Sequence, residues 1–269
     1  LFEAGDRVAV GEPGYPSYRQ ILRAMSVEPV GMQTRPENRY QPVPSDIPEG
    51  VQGVILASPG NPSGTMLGRA ELAALARATA ARGAALVSDE IYHGLDYAFP
   101  AVTAAELSPN ALVINSFSKY FCMTGWRVGW MVVPEVLVRP IERLQQNLSI
   151  SVPTLSQIAA EAAFEGRAEM EAIKRGYQEN RRILIEGLPK AGLTKFLPAD
   201  GAFYLYADVS DFTSDSFAFA SEMLEKAHVA ATPGVDFDPI HGRAFIRFSY
   251  ARSAAEMQEA VARIAHWLK

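Results

Sequence analysis

Short apolar runs alternate with segments of helical periodicity through the first half of the chain, and this alternation constrains the fold most strongly. The runs have the length and β-branched content of strands, and they lie at 7–10, 28–32, 51–57, 84–88, 112–115 and 128–133. Helical periodicity occurs at 18–25 and around Leu72 and Leu75, whose spacing places both on one face. Near-continuous apolar strands separated by helices are typical of a buried, mainly parallel sheet. The first half is therefore predicted to be α/β.

The pattern changes after Pro153, where one long helical stretch runs from about Leu155 towards Leu188. It is followed by predicted strands at 202–206 and 244–248 and predicted helices at 217–227 and 254–268. A chain of 269 residues exceeds one typical core, so two domains are expected. Residues 1–150 are predicted to form a large domain. Residues 151–269 are predicted to form a linking helix and a smaller α+β domain.

The composition argues against several classes of function. The formal net charge is -5 and no run of Lys or Arg stands out, which gives no support for nucleic-acid binding. No apolar run approaches the length of a membrane span, and the four histidines lack the spacing of a metal site. Cys122 is the single cysteine, so no internal disulfide is possible and a reducing, cytoplasmic location is expected.

The opening residues, Leu1 to Asp6, have the character of a helix tail, with Gly5 as a left-handed cap. The chain does not begin with Met. A helix tail without a preceding helix predicts an upstream segment, so the large domain is expected to lack its N-terminal part.

Polar side chains of unusual variety follow the ends of several predicted strands. They are Tyr15, Asn61, Asp89, Tyr92, Ser116, Ser118, Lys119 and Arg127, with Arg247 on a strand of the second domain. Ligands of open α/β sheets bind at the carboxyl ends of the strands, where most of these residues are expected to meet. Rings, hydroxyls, a carboxylate and cations together suit a charged, planar, phosphorylated ligand.

Six sequence blocks resemble a known family. They are Glu12–Tyr18, Ala57–Thr65, Asp89-Glu-Ile-Tyr92, Asn115-Ser-Phe-Ser-Lys119, Thr124-Gly-Trp-Arg-Val-Gly129 and Phe245–Ser249. Together they are similar to the signatures of class I/II aminotransferases of fold type I, in the family's order and over nearly the whole chain. The resemblance implies pyridoxal 5'-phosphate as cofactor and a homodimer. It also implies reversible amino transfer between an L-amino acid and a 2-oxo acid.

The resemblance assigns the catalytic roles to Lys119, Asp89 and Tyr92. Lys119 matches the lysine that holds the cofactor as a Schiff base and then, as a free amine, carries the substrate Cα proton. Asp89 matches the aspartate that keeps the pyridine nitrogen protonated, so that the ring acts as an electron sink. Tyr92 and Asn61 match the donors to the cofactor's phenolic oxygen.

The resemblance also assigns the remaining binding roles. Tyr15 matches the aromatic residue that stacks on the pyridine ring. Ser116, Ser118 and Arg127 match phosphate ligands, for which a guanidinium offers both charge and a fork of donors. Arg247, together with Asn61, matches the site of the substrate α-carboxylate.

Several alternatives stay open at this point. Asp89 could cap a helix that begins near Glu90, and Arg247 could belong to a buried structural salt bridge. A C–S lyase or a decarboxylase of the same fold would share the same residues. A non-enzymatic, aminotransferase-like regulator domain is a further alternative, although the chain contains no DNA-binding segment. The substrate's side chain is left undetermined.

Overall fold

A six-stranded sheet organises the first half of the chain. The computed structural model describes residues 1–269. The strands are β1 Arg7–Glu12, β2 Glu28–Gln33, β3 Gly53–Ala57, β4 Ala85–Asp89, β5 Leu112–Ser116 and β6 Gly129–Val132. Their order is β2-β1-β3-β4-β5-β6. The first five pair in parallel and β6 runs antiparallel to β5, so the mainly parallel sheet is confirmed.

Two helices connect these strands, namely α1 Pro16–Ala24 and α2 Arg69–Ala81. The predicted face of α2 is confirmed, because Leu72 and Leu75 are almost completely buried. They pack in one core cluster with Val54 of β3 and Leu86 of β4. This layer fixes the strands whose carboxyl ends carry the predicted polar residues.

Three helices lead into the second half: α3 Glu135–Leu148, α4 Thr154–Ala163 and α5 Arg167–Gly187. The sequence did not predict α3, whose interior contains Pro140. Proline removes a backbone donor and usually ends a helix. The single long helix predicted after residue 155 is interrupted by a 3-10 turn at Phe164–Gly166.

A second, antiparallel sheet lies in the last third of the chain. Its strands are β7 Lys195–Phe196, β8 Tyr204–Asp208, β9 Thr232–Pro233 and β10 Phe245–Ser249, in the order β7-β8-β10-β9. Helices α6 Ser216–Ala227 and α7 Ala254–Trp267 cover it. Leu205, Met223 and Ile246 lie in its core cluster. The smaller α+β unit is therefore confirmed, while the domain boundary near residue 150 stays a prediction.

Two local predictions differ from the structure. Residues 1–3 have no regular structure and Ala4–Gly5 form a turn, so the predicted helix tail is wrong, although Gly5 has the expected positive φ of 92°. The predicted helix after β4 is also absent, and residues 91–94 form a turn in its place. Within this turn region Asp89 accepts a hydrogen bond from the Ile91 amide at 3.0 Å. The interpretation of Asp89 as a helix cap is therefore wrong.

None of the helices combines the length and hydrophobicity that a membrane crossing needs.

Candidate active site

One cavity collects most of the predicted site residues. Its volume is about 290 Å³, and its walls include Tyr15, Asn61, Asp89, Tyr92, Lys119 and Arg247. The first five follow β1, β3, β4 and β5, whose carboxyl ends meet because these strands are parallel neighbours. The last comes from β10 of the second sheet. The cavity therefore lies between the carboxyl edge of the first sheet and residues of the second sheet.

Lys119 follows β5 and reaches the cavity with a half-buried side chain. Its Nζ lies 5.8 Å from the centre of the Tyr92 ring and 6.0 Å from that of Phe203. Burial lowers the pKa of the Lys119 ammonium, and the positive charges of Arg247 and Arg127 lower it further. The lowered pKa shifts Lys119 towards the neutral amine, which is the nucleophilic form.

Asp89 lies at the carboxyl end of β4 with its side chain in the cavity. Burial raises the pKa of this carboxyl group, and hydrogen bonds from the Tyr18 hydroxyl and the Ile91 amide oppose the shift. Tyr18 was not predicted as a site residue. It lies one helical turn beyond Tyr15, on α1, and the two rings meet edge to face at 5.6 Å.

Tyr92 is held by a second tyrosine that the sequence did not single out. The Tyr92 and Tyr204 hydroxyls are 2.9 Å apart in a buried hydrogen bond. Burial, together with the Tyr204 hydroxyl, raises the pKa of Tyr92, so its phenol stays protonated and remains a donor. Tyr204 begins β8, where the predicted strand already contained it but offered no sign of its partner 112 residues away.

Arg247 is a half-buried cation without a carboxylate partner. Its guanidinium carbon lies 4.3 Å from the centre of the Tyr204 ring and 4.7 Å from that of Phe237. Its Nη1 donates to Asn61 Oδ1 at 2.8 Å and its Nη2 donates to Thr232 Oγ1 at 3.1 Å, whereas its buried Nε has no partner. No salt bridge includes Arg247, so the structural salt bridge considered from the sequence is absent. Burial lowers the pKa of this guanidinium.

The three predicted phosphate ligands lie beside the cavity and not in its wall. Ser116 Oγ lies 2.9 Å from Ser118 Oγ and accepts a hydrogen bond from the Ser118 amide at 3.0 Å. Arg127 has a left-handed backbone with φ 52°, and its exposed side chain donates to the Thr124 carbonyl at 2.9 Å. The structure thus brings the hydroxyls of the two serines together, whereas the Arg127 side chain is exposed to solvent.

Known proteins are similar to this chain over almost its whole length. The family model for aminotransferase class I and II matches residues 1–264. A valine–pyruvate aminotransferase from Mycobacterium tuberculosis is 48% identical over 274 residues, which cover 99% of this chain and 71% of that protein.

Solved structures agree with this family match. The crystal structure of a protein from Silicibacter pomeroyi matches with TM-score 0.97 at 57% identity, covering 100% of this chain and 73% of that one. A Thermus thermophilus aspartate aminotransferase with maleate matches with TM-score 0.93 at 32% identity, covering 99% of this chain and 71% of that one. The fold of the present chain is therefore that of a fold type I aminotransferase. The chain belongs to the class I and II aminotransferases, pyridoxal-phosphate-dependent enzymes that move an amino group between an amino acid and a 2-oxo acid.

Proposed function

We propose that this cavity binds pyridoxal phosphate through Lys119 and transfers the amino group of a neutral, aliphatic L-amino acid, such as valine, to pyruvate. The observation that carries the proposal is the cavity itself. It brings a lysine whose pKa is lowered together with a largely buried carboxylate and a half-buried guanidinium that has no carboxylate partner.

The donor set of the cavity fits this cofactor with its substrate. Asp89 is a buried carboxyl group whose hydrogen-bond partners are a neutral phenol and an amide, so it can accept from a protonated ring nitrogen. Tyr15 supplies an aromatic face at the cavity wall. The half-buried guanidinium of Arg247 lines the cavity without a carboxylate partner, so an anionic ligand there would neutralise its charge.

Each residue then has a role in the reaction. The cofactor, when bound, supplies an electron sink for the substrate's Cα. Lys119 would hold the cofactor covalently, and its free amine would take the proton from the substrate Cα. Asp89 would accept a hydrogen bond from the protonated ring nitrogen, while Tyr92 and Asn61 would donate to the phenolic oxygen.

The remaining residues bind and orient the ligands. Arg247, positioned by Asn61, binds the substrate α-carboxylate through charge-assisted hydrogen bonds. Ser116 and Ser118 would bind the cofactor phosphate with their hydroxyls, and Arg127 would add the positive charge of its guanidinium.

The preference for a neutral side chain is supported by the relative's activity and by the cavity wall. The name of the Mycobacterium tuberculosis relative gives valine and pyruvate as its substrates. Beyond the residues already described, the wall consists of Ala57, Pro59 and Ile91. Lys119 and Arg247 are the cavity's cations, and both already have roles. A second carboxylate would therefore be buried without a partner.

We further propose that the protein works as a homodimer in the cytoplasm. A second copy of the chain would cover apolar surface on β6 and α3, where Trp130, Met131, Val136 and Leu148 are exposed. The absence of a disulfide, with Cys122 free, fits a reducing compartment.

The titration of Lys119 tests its proposed role. In cofactor-free protein, competitive labelling with an amine reagent across pH should show Lys119 reacting at lower pH than the lysine side chain of a short model peptide. Arg247→Gln should raise the pKa of Lys119, because a neighbouring positive charge is removed. Asp89→Asn should lower that pKa, because a negative charge is removed. A Lys119 that reacts only at higher pH than the lysine of the model peptide would contradict the proposal.

Arg247→Leu should weaken binding of all amino-acid and 2-oxo-acid substrates by about 2–5 kcal/mol, since they share the α-carboxylate. Binding of isobutylamine, which lacks a carboxylate, should change little. Arg243→Leu is the matched control, because Arg243 is exposed and pairs with Asp215 away from the cavity. Equal losses for valine and isobutylamine would show that Arg247 has only a structural role.

A screen of single half-reactions tests the substrate class. With the cofactor-loaded protein, valine should convert the cofactor faster than aspartate by on the order of a hundredfold, because burying an unpaired carboxylate is costly. The measurement is the change in the cofactor's absorption spectrum after mixing. Faster conversion by aspartate would refute the proposed class and leave amino transfer itself intact.

A further inference from the structure

Arg19 is a buried arginine that joins the two halves of the molecule. It lies on α1, is 7% exposed, and donates from Nη1 to the Phe237 carbonyl at 2.9 Å and from Nη2 to the Asp236 carbonyl at 3.0 Å. Its carboxylate neighbour, Glu12, is farther away, with Oε1 at 3.5 Å from Nη1. The backbone carbonyls are therefore its closer partners. They belong to the segment of residues 232–237, which begins with β9.

This segment, residues 232–237, contacts Arg247 at both of its ends. Thr232 pairs with Arg247 across the sheet and accepts a hydrogen bond from its Nη2. Phe237, which is 2% exposed, places its ring 4.7 Å from the guanidinium carbon. The Phe237 carbonyl also accepts from the Gly14 amide at 3.0 Å, beside Tyr15 of the cavity wall. Two neighbours that orient Arg247 thus belong to one segment, and Arg19 holds the end that carries Phe237.

We propose that Arg19 is a positioning residue for substrate binding. By fixing the carbonyls of residues 236 and 237, it keeps the Phe237 ring against Arg247 and so aims the guanidinium at the α-carboxylate. This inference rests on the proposed function, in which Arg247 binds that carboxylate.

An arginine is needed at this position because its planar fork donates to two acceptors at once. A lysine ammonium is a point charge on a flexible stem and cannot hold both carbonyls in the same way. Glu12 balances the buried charge and is itself held by Gln33, whose amide donates to Oε2. The cluster therefore has the partners that a buried cation requires.

The test compares two variants with one control. Arg19→Lys keeps the charge and loses the fork. Glu12→Gln/Arg19→Met removes both charges, so that no unpaired carboxylate is left buried. Arg39→Met is the control, because Arg39 also joins the two halves, through Asp200, and does not contact the 232–237 segment. Binding of 3-methylbutanoate, which is valine without its amine, and of its uncharged amide is measured by calorimetry, and KM and kcat for valine by assay.

Both Arg19 variants should bind 3-methylbutanoate about tenfold more weakly and raise KM more than they lower kcat. Binding of the amide and of the cofactor should be unchanged, and Arg39→Met should bind 3-methylbutanoate normally. Equal losses for the amide, or the same losses in Arg39→Met, would overturn the inference, because they would indicate general loosening.

Arg247→Leu, measured in parallel, separates the two proposals. If it weakens 3-methylbutanoate binding and the Arg19 variants do not, the positioning role is wrong and the proposed function stands. If Arg247→Leu leaves this binding unchanged, the proposed function fails first, and the inference fails with it.

Discussion

The partial burial of the Arg247 positive charge without a carboxylate partner is the constraint around which this site is organised. A charge removed from water is costly unless hydrogen bonds and other polar contacts compensate. Here the compensation comes from Asn61 and Thr232 as acceptors and from the faces of Tyr204 and Phe237 as cation–π partners. None of these groups neutralises the charge. The guanidinium therefore remains available to an anionic ligand, which is what a carboxylate-binding site requires.

The hydrogen-bond and ring partners of Arg247 come from both halves of the chain. The contacts that stabilise its charge therefore also hold the two halves together. Asn61 belongs to the loop after β3 of the first sheet, whereas Thr232 and Tyr204 lie on β9 and β8 of the second. The Tyr204 hydroxyl continues the connection to Tyr92, which follows β4. The groups that are proposed to bind the cofactor and the substrate are thereby linked in one network. A change at one end of it is expected to be felt at the other, because neighbouring hydrogen bonds in a buried network are coupled.

The sequence predicted most of the first sheet and six of the residues in the cavity wall, because short apolar strands and family motifs are local signals. It missed Tyr18 and Tyr204, whose importance depends on partners far away in the chain. It also missed α3, since Pro140 is a helix-breaking residue that the surrounding helix tolerates. Asp89 was open to interpretation as a helix cap because a carboxylate accepts a following amide equally well in a turn.

The central claim is that Lys119 is the covalent anchor of the cofactor, placed among Asp89, Tyr92 and Arg247 in one cavity. Reduction of the cofactor-loaded protein with sodium borohydride, followed by mass spectrometry of its peptides, tests this most directly. The account predicts the mass of one reduced cofactor on the peptide that contains Lys119, and its loss in Lys119→Arg. A label on any other lysine, or an unchanged label in that variant, would contradict it.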